Sequence, residues 1–124
     1  MTPMVLVDTS VWVSFLQAGN ARLKELLDEG KVVSHPFIIG EMSCGNLKNR
    51  REILALLKAL PPAVEARHEE VLLLVENHRL MGLGLGYVDI HLLAAALLTS
   101  VPLWTEDKSL KAAAVRLQVD FKGE

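Results

Sequence analysis

The sequence predicts an α/β fold in which a mainly parallel sheet is covered by helices on both faces. Short apolar runs rich in β-branched residues alternate with stretches of helical periodicity, which is the pattern of strands joined by crossover helices. The chain has 124 residues, of which 51% are hydrophobic and 23% are charged. That composition supports a buried core and argues against disorder, and the length is typical of one domain. We therefore expect a single domain over residues 1–124.

The first half of the chain begins with an apolar, β-branched run that predicts a strand buried on both faces. Asp8 follows this run directly and, with the two hydroxyl residues after it, has the chemistry of a helix cap. Gly30 ends a leucine-rich helical stretch, and Pro36 suits the first turn of the helix after the second strand. The expected elements are strands at 4–7 and 31–34 and helices at 11–16, 23–27, 36–42 and 51–60.

The second half begins after Pro61 and Pro62, which stop the preceding helix. A strongly helical stretch follows, in which we expect the leucine-rich segment 72–75 to face the core, with a dimer face as the other interpretation. Three alternating glycines then form a loop, and Pro102 is tolerable near the start of a strand. The expected elements are a short edge strand at 63–66, helices at 68–81, 87–98 and 108–117, and strands at 101–105 and 119–121.

Acidic residues fall where parallel strands end. Asp8 directly follows the first strand, and Asp107 lies just after the strand that ends at Thr105. Asp89 opens the helix after the glycine loop, and Glu41 lies in an unusually apolar helical stretch after the second strand. Because functional groups in open α/β sheets gather beyond the carboxyl ends of the strands, these four carboxylates can converge on one crevice.

Each of these acids also has a simpler interpretation when it is taken alone. Asp8 could cap the following helix, and Asp89 could complement the positive end of its own helix. Asp107 could be a turn residue before the last helix, and Glu41 could face solvent as most helical glutamates do. The prediction of a functional site therefore depends on the set of four.

A cluster of carboxylates predicts a bound cation, because crowded like charges repel and raise one another's pKa values. Cys44 is the single cysteine, and His68-Glu69-Glu70 lacks the second histidine of a zinc-protease motif because Leu72 stands in its place. The ligands on offer are therefore oxygens. Oxygen ligands select Mg²⁺ or Mn²⁺ over zinc.

The overall charge gives no sign of a nucleic-acid partner, since the net charge is −2 and the pI is about 6.1. Residues 48–51 concentrate positive charge; they are either a basic rim beside an acidic site or a solvated helix start. No basic region precedes the first apolar run, and the longest apolar stretches are too short to span a bilayer. We expect a cytoplasmic protein without membrane association.

Four segments, in order along nearly the whole chain, resemble the motifs of PIN-domain nucleases, and the length resembles that of the VapC toxins of VapBC toxin–antitoxin pairs. Val5 to Trp12 is similar to the opening strand with its Asp-Thr-Ser ending, and Glu41 resembles the second acid of the family. Gly86 to Ala96 resembles the third-acid segment, and Leu103 to Asp107 resembles the last strand with its Thr-x-Asp ending. One departure follows: Ser109 and Leu110 stand where many relatives have an acid and an aromatic residue.

The resemblance implies a three-layer α/β/α PIN-like fold and a Mg²⁺- or Mn²⁺-dependent endoribonuclease that hydrolyses RNA phosphodiester bonds. It also implies a homodimer and a VapB-like antitoxin as partner. The metal-site acids would be Asp8, Glu41, Asp89 and Asp107, with Ser10 and Thr105 as supporting hydroxyls. The resemblance assigns no role to the neighbouring Glu106.

Three alternatives stay open at this point. A housekeeping RNA-processing nuclease could share the same fold and site, and a catalytically silent PIN-like module could bind without cutting. A receiver-like phosphoacceptor module also has an acidic metal pocket. It requires an acceptor aspartate at the end of a central strand, whereas Ser34 and His35 follow the second strand here.

Overall fold

A computed structural model describes residues 4–123; residues 1–3 and 124 of the expected domain lie outside the described residues. Three parallel strands form the sheet in the order β2-β1-β3, with β1 at Val5–Val7, β2 at Val32–Val33 and β3 at Leu103–Trp104. The central strand pairs Leu6 with Val33 on one side and with Leu103 on the other. All three β1 residues are fully buried, as the continuous apolar run predicts for a strand covered on both faces.

Seven helices in the described part of the chain complete the predicted α/β/α arrangement. They are α1 at Thr9–Ala18, α2 at Ala21–Asp28, α3 at Pro36–Cys44, α4 at Arg50–Ala59, α5 at His68–His78, α6 at Tyr87–Thr99 and α7 at Lys108–Arg116. Local chemistry sets several of their ends. The Asn20 side chain accepts from the Leu23 N–H at the start of α2, and Gly19 ends α1 with a φ of 78° that disfavours other residues.

Helix α6 lies at the centre of the core. Every residue from 90 to 96 is buried, including three successive alanines, so this part of the helix, which apart from His91 is apolar around its circumference, is enclosed on all sides. Its contacts reach α5 and β3. The first turn of α6 carries Asp89, which is therefore presented to the carboxyl edge of the sheet from a rigid element.

Two of the predicted strands are wrong, because each is reduced to a single bridge. The edge strand expected at 63–66 is limited to a bridge between Ser34 and Pro62, in which the Ala63 N–H donates to the Ser34 carbonyl at 2.7 Å. The pairing stops there because the chain after Ser34 enters α3 at Pro36, which has no N–H for the next ladder bond. The strand expected at 119–121 is limited to a bridge between Leu103 and Asp120. Strand β3 is shorter than the expected 101–105, although the Pro102 carbonyl beside it still accepts from the Leu6 N–H at 2.9 Å.

The leucine-rich segment of α5 also differs from the prediction. Val71 is buried and residues 74 and 75 are partly buried, whereas Leu72 and Leu73 are 49% and 58% exposed. Spacings of three and four residues bring 71, 74 and 75 onto the face that packs on α6, and this periodicity turns the two leucines between them outward. Within residues 4–123, no helix is both long and apolar enough to cross a membrane.

Candidate active site

Asp8 is the most buried acid of the predicted set, with 7% of its surface exposed. It occupies the N-cap position of α1 with an extended backbone, but its side chain makes no capping hydrogen bond. Its Oδ2 atom instead accepts hydrogen bonds from Ser10 Oγ and from Thr105 Oγ1, each at 2.8 Å. The interpretation of Asp8 as a helix cap is therefore wrong, and its carboxylate is oriented from two separate elements.

The two hydroxyls link Asp8 to the loop between β3 and α7. Each hydroxyl has one proton and donates it to Asp8, so its lone pairs remain to accept from backbone groups. Ser10 Oγ accepts from the Glu106 N–H at 3.0 Å, and Thr105 Oγ1 accepts from the Asp107 N–H at 3.1 Å. The 3.3 Å separation of the two hydroxyl oxygens is then a packing contact. This network aligns the start of α1 with the loop that carries Asp107.

Asp89 and Asp107 each use one carboxylate oxygen at a helix start. Asp89 Oδ2 accepts from the Gly86 N–H at 2.9 Å, and Asp107 Oδ2 accepts from the Leu110 N–H at 2.8 Å. The capping and turn interpretations thus describe part of what these residues do. Because a carboxylate has two acceptor oxygens, capping leaves the second oxygen of each acid for another ligand.

The pKa of Asp89 reports how closely the acids are gathered. Burial raises it above its ordinary value of 3.8, the charges of Asp107 and Asp8 raise it further, and the hydrogen bond from Gly86 opposes the shift. Three carboxylates, from the end of β1, the start of α6 and the loop after β3, are therefore near enough to repel one another. A bound cation would relieve this repulsion.

Glu41 reaches the same region through a contact that the sequence analysis missed. It lies on α3 with an exposed side chain, and its Oε1 atom accepts from Thr9 Oγ1 at 2.6 Å. Thr9 directly follows Asp8, so the bond holds Glu41 against the start of α1. The hydroxyl of Thr9, in the middle of the Asp-Thr-Ser triplet, was the feature of the sequence that could have indicated this contact. Glu106 is tied to α1 in a similar way, since it accepts from Ser14 Oγ at 2.6 Å.

The chemistry of these donors fits a hard divalent cation, because carboxylate and hydroxyl oxygens surround the site. As the side chains stand, no three acids, histidines or cysteines of residues 4–123 are arranged to hold a single ion. Within the same range, the second oxygen of Asp8, Oδ1, accepts no hydrogen bond from protein atoms. Asp8, Asp89 and Asp107 could therefore hold an ion with their second oxygens after small adjustments about their terminal torsions, which are broad.

The structure also gathers aromatic and imidazole rings from separate segments of the chain. His35 Nδ1 accepts from the Phe37 N–H at 3.0 Å and so caps α3. The ring centroids of His35 and His91 are 6.4 Å apart, and both rings contact Phe37. Burial lowers the pKa of both histidines. The four-residue spacing of Tyr87 and His91 was the one signal of this cluster in the sequence.

Comparisons with known proteins agree with this architecture. A family model described as PIN domain matches residues 5–116, which run from the first strand to the end of α7. Two relatives named Ribonuclease VapC32, from the CDC 1551 / Oshkosh and ATCC 25618 / H37Rv strains of Mycobacterium tuberculosis, are each 49% identical over 111 residues. These matches cover 89% of this chain and 90% of each relative.

A solved structure supports the fold independently. The crystal structure of PAE2754 from Pyrobaculum aerophilum matches with a TM-score of 0.62, covering 94% of this chain and 90% of that chain. The two sequences are 19% identical, so this likeness concerns the fold alone.

Proposed function

The chain belongs to the PIN domain family and is of the VapC type, and on that premise we propose that it is a divalent-metal-dependent endoribonuclease. The observation that carries the proposal is the hydroxyl network in which Ser10 and Thr105 orient Asp8 and join it to the loop of Asp107. The name of the two mycobacterial relatives supports RNA as the substrate. An RNA phosphate cannot approach such a cluster favourably unless cations neutralise the carboxylates, so the activity should require metal.

We assign the metal-site role to Asp8, Asp89 and Asp107, with Glu41 at the edge of the site. Oxygen donors favour Mg²⁺ or Mn²⁺ over softer ions. When bound, such an ion supplies a water of lowered pKa and positive charge opposite the phosphate oxygens. We place this activity on RNA in the cytoplasm.

The chain's own residues act in this proposal by orienting the acids. Ser10 and Thr105 hold one oxygen of Asp8, which directs its other oxygen toward the ion. Thr9 holds Glu41 in the same way. Since ligands to a metal depend on hydrogen-bonding partners for their orientation, the three hydroxyls should influence metal affinity without contacting RNA.

Positive charge for the RNA backbone is available in the segment that follows the Glu41 helix in the chain. Residues 48–51 are exposed and lie in the loop after α3 and at the first residues of α4. Lysine and arginine side chains at the edge of an acidic site attract phosphates while leaving the metal ligands free. We propose that this segment contacts the RNA on either side of the cut.

We propose that the chain acts as a toxin and binds two partners, a VapB-like antitoxin and a second copy of itself. Exposed apolar side chains supply surface for both. Val13 and Leu16 on α1 are 40% and 38% exposed, and Leu73, Leu97 and Leu98 line a groove of about 270 Å³ between α5 and α6. Apolar groups exposed this close together are typical of interaction surfaces.

Cleavage of labelled single-stranded RNA by the purified protein tests the proposal. We expect cutting with Mn²⁺, none with excess EDTA, and a loss of about 100-fold or more for Asp8→Asn, which removes a ligand but keeps the side-chain shape. Asp28→Asn is the matched control, since Asp28 is an exposed acid of α2 paired with Lys24. Metal binding without cleavage would identify a silent binding module, and full activity of Asp8→Asn would remove Asp8 from the site.

A further inference from the structure

A row of five rings, which we call the aromatic ladder, runs from the core to the surface and joins residues of α3, α5 and α6. Adjacent ring centroids are 5.2, 4.7, 4.6 and 5.7 Å apart along the ladder. In order, its members are His35, Phe37, His91, Tyr87 and His68. The inner end is buried, with His35 1% exposed and His91 6% exposed, whereas Tyr87 is 48% exposed. The ladder therefore supports an aromatic ring that faces solvent.

Tyr87 is held in place on two sides. Its hydroxyl lies 2.8 Å from His68 Nδ1, and its ring meets the His91 ring edge to face at 79°. Both its polar tip and one part of its ring are thus engaged, while about half of the side chain stays accessible. An exposed aromatic side chain fixed in this way loses little conformational entropy when a flat ligand binds to it.

Tyr87 lies at the same end of α6 as Asp89, one of the acids of the proposed metal site. It is the first residue of α6, in the same turn as Asp89, whose carboxylate bonds back to the Gly86 N–H. On the other side of the ladder, Phe37 lies one helical turn before Glu41 on α3. The ladder therefore spans the junction between the two helices that carry these acids.

We propose that Tyr87 is a stacking platform for one unpaired nucleobase of the RNA, beside the phosphate that is cut. This inference rests on the proposed ribonuclease activity. Aromatic side chains bind single-stranded RNA by stacking on bases, and a base in a duplex is already stacked on its neighbours. The acid cluster cannot itself attract RNA by charge. A stacking contact between Tyr87 and a base would instead hold the RNA at the start of α6.

The test uses a single-stranded RNA oligonucleotide that the wild-type protein cuts at one site, and copies with one abasic nucleotide at each position flanking that site. Loss of one stacked base should lower kcat/KM of the wild type by about 5- to 150-fold at a single position. Tyr87→Leu, which has no aromatic face, should show a similar loss on intact RNA and no further loss on that abasic copy. Such non-additivity identifies two groups that contact each other.

Tyr87→Phe is the matched control, because it keeps the ring and removes only the hydroxyl that meets His68. It should retain kcat/KM within about threefold, since the stacking ring and its contact with His91 remain. Both variants should keep wild-type circular dichroism and stabilisation by Mn²⁺. Equal activity of Tyr87→Leu and wild type, or losses that multiply at every abasic position, would overturn the stacking role while leaving the ribonuclease proposal intact. A wild-type protein that cuts no RNA would overturn both.

Discussion

Replacing Thr105 with valine removes the buried hydroxyl that orients Asp8 and changes the shape of the side chain very little. Thr105 is 3% exposed, donates to Asp8 Oδ2 at 2.8 Å and accepts from the Asp107 N–H at 3.1 Å. Valine can do neither, so Asp8 keeps only the hydrogen bond from Ser10. The Asp107 N–H loses its acceptor at the same time.

The magnitude follows from these two losses. A hydrogen bond to a charged group contributes about 1.5 to 3 kcal/mol, and an unsatisfied donor costs about 1 kcal/mol where water can partly replace the acceptor. Asp107 is exposed, so the lower value applies to its N–H. We therefore expect Thr105→Val to lower the free energy of unfolding by about 2.5 to 4 kcal/mol, a large share of the stability of a domain this size.

Urea denaturation followed by circular dichroism measures this loss. With a slope of about 2 kcal/mol per molar urea, the unfolding midpoint should fall by about 1 to 2 M. Thr105→Ser is the matched control and should recover most of the loss, because it restores the hydroxyl. Affinity for Mn²⁺ should fall by about 10- to 100-fold in Thr105→Val, the usual effect of removing a partner of a metal ligand.

The reasoning is refuted if Thr105→Val changes the unfolding free energy by less than about 0.5 kcal/mol, the range of an ordinary surface substitution. It is refuted equally if Thr105→Val and Thr105→Ser lose the same stability, since the effect would then come from packing. In either case the hydroxyl would not be what positions Asp8.

Two further predictions concern charge. Asp89→Asn should raise the stability of the metal-free protein at neutral pH and abolish its response to Mn²⁺, because asparagine can still accept from the Gly86 N–H but carries no charge. The folded-state pKa of Asp89 is raised above 3.8, so wild-type stability should decline relative to Asp89→Asn as pH rises above that value. Denaturant titrations from pH 3.5 to 7 measure the difference in unfolding free energy between the two proteins. A difference that stays constant over this range would contradict the prediction. His35 has a folded-state pKa lowered from 6.5 by burial, so the unfolded chain takes up the proton first as pH falls. The stability contributed by neutral His35 should be complete above pH 6.5 and lost as pH falls below it. On acidification, the unfolding free energy should therefore fall less in His35→Asn than in the wild type or in the control His78→Asn, whose histidine is exposed.

The general arrangement of the fold was predictable because apolar patterning reflects burial directly. The run around β1 and the uninterrupted apolar stretch of α6 both lie where the pattern indicates. Strand length was not predictable in the same way. Pro62 and Pro102 sit beside one-residue or two-residue pairings, and the extent of pairing depends on neighbouring strands that are distant in the sequence.

The candidate site, like the fold, was predictable from the sequence only in part. Asp8 and Asp107 could be predicted to lie at one edge of the sheet, because each follows a strand and the carboxyl ends of parallel strands share an edge. The orientation of Asp8 was not predictable from its neighbours alone, since Thr105 lies 97 residues away and supplies one of its two hydrogen bonds. The aromatic ladder went unseen for the same reason, as its contacts join α3, α5 and α6.

Thermal unfolding of the wild type and of Asp8→Asn, each with EDTA or with Mn²⁺, tests most directly whether the acid cluster binds a divalent ion. At about one hundred times its dissociation constant, Mn²⁺ should stabilise the folded wild type by about 2.7 kcal/mol, which raises Tm by about 10 °C for a chain of this length. Asp8→Asn should show little or no rise. An equal rise in both proteins, or none in the wild type at millimolar Mn²⁺, would contradict a metal site built on Asp8.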